Sequence, residues 1–245
     1  MDWHNKTVIV TGGASGMGLE EARLFAQRGA NVAVLDINGE GAAQTAREIQ
    51  SGGIKTVGLK VDLTVHEEIV AAVKQVREKL GAVDVLVNNA GVFDRYLPSL
   101  ETSLEQWNKF IALNLTSVFD MTNAVLPEMI ERKKGNIVNI ASVAGIVAGK
   151  GGAVYTATKH AVIGYTKHLT FEYARHGLRF NAVCPGTIET PLTKDLLAKI
   201  PKDPVPAKRF GTAIEVAELV VFLASDEAAF VNGAIVVADG GFTIQ

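Results

Sequence analysis

Lys6-Thr7-Val8-Ile9-Val10-Thr11-Gly12-Gly13-Ala14-Ser15-Gly16-Met17-Gly18 is the stretch that decides the fold. Residues 6–11 are a short run of mostly β-branched side chains stopped by Gly12-Gly13, and from Met17 to Arg28 the apolar residues take helical spacing. The pattern is strand, tight turn, helix. Glycines in such a turn let the backbone approach a pyrophosphate and leave the helix N-terminus free to bind it. The spacing is Gly-x-x-x-Gly-x-Gly, not the Gly-x-Gly-x-x-Gly of the general dinucleotide fingerprint, so on its own it also suits a simple turn.

Outward from this unit the same alternation continues. Strand patterns at 31–36, 57–61 and 83–87 alternate with helical ones at 41–50 and 67–80. A long helical region follows from Leu104 to Arg132, which Pro127 is expected to kink or end. Then come a strand at 135–141, a helix from Ala153 to Arg175, a strand at 179–184, a helix at 215–224 and a last strand at 234–238. This order predicts an α/β fold: one Rossmann-like, doubly wound parallel sheet of about seven strands, with helices on both faces, over 1–245. Five of the seven prolines fall between Pro185 and Pro206, which marks about 186–212 as an irregular segment on the substrate side.

The chain has 245 residues, 48% apolar and 20% charged, enough for one domain with a large core. Its net charge of −2, without long charged runs, predicts neither nucleic acid nor a membrane surface as partner. Cys184 is the only cysteine, which excludes an internal disulfide and suits a reducing compartment. With no signal-like or membrane-spanning apolar run, a cytoplasmic location is expected.

The reactive centre is read in Ala153-Val154-Tyr155-Thr156-Ala157-Thr158-Lys159, with Ser142 thirteen residues before the tyrosine. A helix puts positions i and i+4 on one face, so the Tyr155 hydroxyl and the Lys159 ammonium can converge. A cation about 5 Å away at an effective dielectric of ~20 is worth roughly 3 kcal/mol, or about two pKa units, which would pull the tyrosine toward neutral pH. Taken alone, Tyr-x-x-x-Lys is also an ordinary surface pair.

Asp36 sharpens the glycine turn. An acidic residue ending the second strand stands where an adenosine ribose presents its hydroxyls, and it repels the extra phosphate of NADP. Neither Ser15 nor Ile37 is basic, so NAD(H) is expected and NADP is less favoured.

Thr11 to Gly18, Asp62, Asn88-Asn89-Ala90-Gly91, Asn114, Ser142, Tyr155, Lys159 and Pro185-Gly186 stand in the order and approximate spacing of a short-chain dehydrogenase/reductase. The chain resembles that family over essentially its whole length. The resemblance implies that Tyr155 is the general acid/base, that Lys159 lowers its pKa and holds the nicotinamide ribose, and that Ser142 hydrogen-bonds the substrate oxygen. Asn114 would anchor a water that passes protons from Lys159. The implied cofactor positions are Gly12, Ser15, Gly16, Met17 and Gly18 at the turn, with Asp36 and Ile37 beside the ribose. Asp62 and Leu63 would meet the adenine; Asn89, Ala90 and Gly91 would line the cleft. Pro185, Gly186, Ile188 and Thr190 would surround the carboxamide. A homotetramer, with residues 242–245 packed against neighbours, is also implied.

Chemically the assignment is coherent. Charge grows on the oxygen during ketone reduction, so donors such as Ser142 and Tyr155 stabilise the transition state more than the ground state. The substrate side runs from Ser142 through Ala144 to Gly152, with Phe93 and Tyr96 as aromatic walls; it predicts a neutral secondary alcohol or ketone. Two other functions compete: a 3-oxoacyl carrier-protein reductase, opposed by Asp36 and by Phe171 where a basic docking residue is usual, and an NAD-binding sensor, opposed by the retained tyrosine and lysine. No metal is expected, because His160, His168 and His176 drift around their helix. Cys184 reads as a small buried apolar residue, and Arg132-Lys133-Lys134 as a solvated helix end.

Overall fold

The computed structural model describes residues 2–197 and 205–244. In chain order the main elements are β1 Thr7–Thr11, α1 Gly16–Gln27, β2 Asn31–Asp36, α2 Gly39–Ile49, β3 Thr56–Lys60, α3 His66–Leu80 and β4 Val83–Asn88. They continue with α4 Leu104–Ile111, α5 Ser117–Arg132, β5 Gly135–Ile140, α6 Ala153–Tyr173 and β6 Leu178–Pro185. Last come β7 Ile188–Glu189, α7 Lys194–Leu197, β8 Gly211–Thr212, α8 Ala213–Ala224 and β9 Ile235–Ala238.

Seven strands form one sheet in the order β3-β2-β1-β4-β5-β6-β9, and every pairing is parallel. The two-residue alternation of a strand sorts side chains onto its faces. Val8 and Val10 join Val32, Val34, Val85 and Val87 in a core shared with α1, α2 and α8. Ile9, Ala33, Leu35 and Leu86 join a second core with α3, α5 and α6. Both faces are therefore covered, as a parallel sheet requires, and this is the expected Rossmann-like architecture. Chain order reverses between β1 and β4, which opens a crevice at their C-terminal ends.

Two local expectations are corrected. The 104–132 region does not stop at Pro127: α5 runs through it to Arg132, and the irregularity lies earlier, in a π-helical turn at Ala112–Thr116. Arg132 is not a solvated helix end. It donates to Val83 O at 3.0 Å and to Asp84 Oδ1 at 2.5 Å, while Asp84 Oδ2 accepts from Thr7 N at 3.0 Å. That buried carboxylate ties α5 to β1 and β4 where their register shifts at Thr7/Val8. Of the 186–212 segment, Pro201 and Pro204 lie outside the described residues.

Candidate active site

The crevice is built first from backbone. Gly12 takes φ +66° and Gly16 +58°, conformations that favour glycine. Ser15 is the N-cap of α1 but makes no side-chain cap, so the helix start presents its N–H groups uncapped by any side chain. Gly18 is buried, and a Cβ there would come within 2.3 Å of Gly12 O and 2.5 Å of Asn89 Nδ2. Its lack of a side chain lets helix and turn close on each other. Gly18→Ala is expected to cost about 1–3 kcal/mol, read as a drop in Tm by calorimetry, because that oxygen belongs to backbone.

Side chains complete the cradle. Asn89 Nδ2 donates to Thr11 O at 2.9 Å, and Thr11 Oγ1 accepts from Asn89 N and Ala90 N at 3.0 Å each, which locks the ends of β1 and β4 together. Asp36 Oδ2 accepts from Ala14 N at 3.0 Å and Oδ1 from Asn38 N at 2.9 Å. Its carboxylate is held at the rim of the turn. Asp62 accepts from Thr64 N and Thr64 Oγ1, and those bonds lower its pKa. A cavity of about 440 Å³ runs past Gly12, Ser15, Asp36, Asp62 and Asn89, and Met17, Thr190 and Leu192 line both it and a smaller cavity of about 110 Å³. Ile37, Leu63, Ala90 and Gly91 also line the larger one. A cleft that joins an uncapped helix start to two carboxylates fits a dinucleotide.

The smaller cavity brings the reactive residues together. Ser142, Tyr155, Phe93, Tyr96, Pro185, Gly186 and Ile188 all line it. Phe93 meets Tyr155 edge-to-face, with centroids 4.9 Å apart, and Tyr96 in the same manner at 5.2 Å. Ala144, expected on the substrate, is fully buried, and its contribution is an N–H to Ser142 Oγ at 3.1 Å. Ser142 follows β5, whose buried Asn139 joins Asn88 (2.9 Å) and Thr166 (2.9 Å) in a polar chain across β4, β5 and α6. Such a satisfied network fixes the spacing of the elements that carry the site.

Electrostatics depart from expectation. Burial pushes the Tyr155 phenol up to about 12; a hydrogen bond with Ser142 pulls against it, and Asp94, Tyr96 and Cys184 add to the rise. Lys159 does not depress it in the protein alone. Its Nζ donates to Ile140 O at 2.8 Å and lies 5.6 Å from the Tyr155 ring centroid, and burial pushes the ammonium down to about 8. Desolvation outweighs the attraction that helical spacing suggests. Asn114, buried in the π-helical turn, accepts from Val92 N and donates to Val92 O, both at 2.9 Å. Its side chain thus braces the loop after β4. Cys184 is buried and its thiol is pushed up to about 11. His160 contacts Thr156 O and His168 pairs with Glu172; among the described residues no group of three metal-ligating side chains occurs.

One participant, Asp94, was missed in the sequence. Asp94 accepts from Gly152 N at 2.8 Å and from Tyr155 N at 3.0 Å, at the start of the reactive helix. Lys150 lines the smaller cavity and stands 3.8 Å from the Phe242 ring centroid.

Fold and site together define an α/β oxidoreductase. The short chain dehydrogenase family model matches residues 6–201. A 2-(R)-hydroxypropyl-CoM dehydrogenase of Xanthobacter autotrophicus is 41% identical, over 98% of this chain and 99% of its own. The 3-oxoacyl-[acyl-carrier-protein] reductase FabG of Thermotoga maritima is 40% identical over 100% of both chains. The crystal structure of gox2181 superposes with a TM-score of 0.95 at 36% identity, covering 99% of this chain and 97% of that one. The chain belongs to the short-chain dehydrogenase family, whose members use a nicotinamide nucleotide. No helix among the described residues is long and apolar enough to cross a membrane.

Proposed function

We propose that this protein is an NAD(H)-dependent oxidoreductase that interconverts a neutral secondary alcohol and its ketone, with Tyr155 as general acid/base. The observation that carries the cofactor choice is the Asp36 carboxylate, pinned by two backbone N–H groups at the rim of the larger cavity. Asp62 adds a second carboxylate, and Lys109 is the one cation among that cavity's described lining. A further phosphate on the ribose would face the negative charge of Asp36.

Bound nicotinamide supplies the hydride acceptor or donor. The chain's own residues supply the proton and the orientation. In ketone reduction Tyr155, protonated through neutral pH, would give its hydroxyl proton to the substrate oxygen as charge grows there, and Ser142 would donate a second hydrogen bond to that oxygen. Lys159, which retains its positive charge at neutral pH, would hold the cofactor ribose and, with Asn114, serve a proton path. Phe93, Tyr96, Val143 and Ile188 give the cavity a mostly apolar wall, which supports an uncharged substrate. A homotetramer in the cytoplasm, folded as one domain over 1–245, belongs to the same proposal.

Similarity to FabG keeps a 3-oxoacyl thioester as the second substrate class. Asp36 and the exposed, apolar Phe171 argue against it. The test is oxidation of NADH and of NADPH with short diketones, hydroxyketones, cyclic ketones and a 3-oxoacyl thioester. NADH-linked ketone reduction is expected, with kcat/KM at least ~30-fold below it for NADPH, since one such charge contact is worth roughly 2 kcal/mol or more. Asp36→Ala is expected to narrow that ratio ~10-fold. Equal use of NADPH by the natural sequence would defeat the cofactor assignment, and turnover of the thioester alone would defeat the substrate class.

A further inference from the structure

The first turn of α6 carries Tyr155 yet has no cap of its own, because its N-cap residue, Gly152, offers no side chain. The opening N–H groups of a helix lack intrahelical acceptors and, where enclosed, must find them elsewhere. A loop some sixty residues earlier supplies them. Asp94 Oδ1 accepts from Gly152 N at 2.8 Å, Asp94 Oδ2 from Tyr155 N at 3.0 Å, and Leu97 O from Ala153 N at 3.3 Å. Asp94 Oδ1 also accepts from Tyr96 N at 3.2 Å, and the residue is only 6% exposed. The contact is close: a Cβ on Gly152 would come within 2.3 Å of Leu97 O and 2.6 Å of Asp94 Oδ2.

The loop is held in an unfavourable shape to make these bonds. Arg95 and Tyr96 take φ of 53° and 63°, consecutive left-handed conformations without a glycine. Such strain persists where surrounding contacts over-determine it. The same loop carries the aromatic wall, since Phe93 and Tyr96 flank Asp94 and Phe93 stacks edge-on against Tyr155. A carboxylate at the positive end of a helix is also well placed for the dipole.

We propose that Asp94 is a positioning residue: it clamps the first turn of the reactive helix to the substrate-wall loop, so that Tyr155 and the wall facing the substrate move as one body. The clamp acts through Tyr155 and so rests on the role proposed for that residue. Its test compares the full-length protein with Asp94→Ala and Asp94→Asn by amide hydrogen exchange and by steady-state kinetics. In Asp94→Ala, exchange in peptides covering 152–155 is expected to rise ~10-fold or more, and kcat to fall ~10- to 100-fold, as for loss of buried hydrogen bonds to a charged group. NADH affinity, read by fluorescence, is expected to change less than ~3-fold, because no Asp94 contact reaches the larger cavity. Asp94→Asn keeps one acceptor oxygen, is expected to fall between, and serves alone should the alanine variant not fold. Unchanged exchange at 152–155 overturns the clamp, as does faster exchange with unchanged kcat. Should the natural protein reduce no ketone, the proposed activity fails separately, and exchange then decides the clamp by itself.

Discussion

Tyr155→Phe is expected to lower kcat for ketone reduction about 10³-fold while NADH still binds with nearly unchanged affinity. A positioned general acid contributes roughly 10²–10⁴-fold, and the tyrosine also donates one of two hydrogen bonds to the oxygen on which charge develops. Phenylalanine isolates that contribution well. It keeps the ring that meets Phe93 at 4.9 Å and leaves the Asp94 bond untouched, since that bond uses the Tyr155 backbone N–H. Only the hydroxyl and its hydrogen bond with Ser142 disappear. Ser142→Ala removes the second donor and spares the proton, so its loss should be smaller, on the order of 10- to 100-fold. Retention by Tyr155→Phe of more than a tenth of the natural kcat would place the acid on another group. The obvious other candidate, Lys159, has its Nζ on Ile140 O and would have to leave that bond to act.

How much of this was legible in the sequence depended on whether a feature is local. The sheet and its helices followed from short apolar runs alternating with period-3.6 patterns, because the inner strands are buried on both faces by helices. Ser142, Tyr155 and Lys159 were legible through their spacing and order, and the structure brings Ser142 and Tyr155 to one cavity with Lys159 behind the ring. Asp94 was not, since nothing in Phe93-Asp94-Arg95-Tyr96 hints that a helix start 58 residues later lacks acceptors. Arg132 was misread for the same reason: a basic run at a helix end looks solvated until β4 is laid beside it. The sign of the Tyr155 shift also failed, because helical spacing brings the charge near but says nothing of how deeply both groups are buried.

Glu21 shows the same limit most sharply, and replacing it with methionine is expected to stabilise the protein by roughly 3 kcal/mol at pH 7, about 6–12 °C in Tm for a chain of this size. Of the adjacent acids in Leu19-Glu20-Glu21-Ala22-Arg23, Glu20 reaches the surface and pairs with Arg23 at 2.8 Å. Glu21 does not. α1 is packed against α2, α8 and the sheet, so its buried arc is wide enough to include residue 21, which is 0% exposed. Neither carboxyl oxygen has a hydrogen-bond partner among the described residues, and burial pushes the group up to about 8 from 4.5. A raised carboxyl pKa means that the folded state holds its proton where the unfolded chain has lost it, so stability falls as pH rises from about 4.5 to about 8, by up to ~1.4 kcal/mol per unit. Glu21→Met is therefore expected to gain little at pH 4.5 and most at pH 8 and above. Glu21→Gln removes the titration but leaves a buried amide without partners, so it should flatten the pH dependence with a smaller gain. Calorimetry or urea unfolding at pH 5, 7 and 8.5 separates these cases, with Glu20→Gln as the exposed control. Equal stability of natural and methionine forms at pH 8.5 would mean that the carboxylate reaches water or a partner in solution, and that α1 opens toward α8 more than this packing allows.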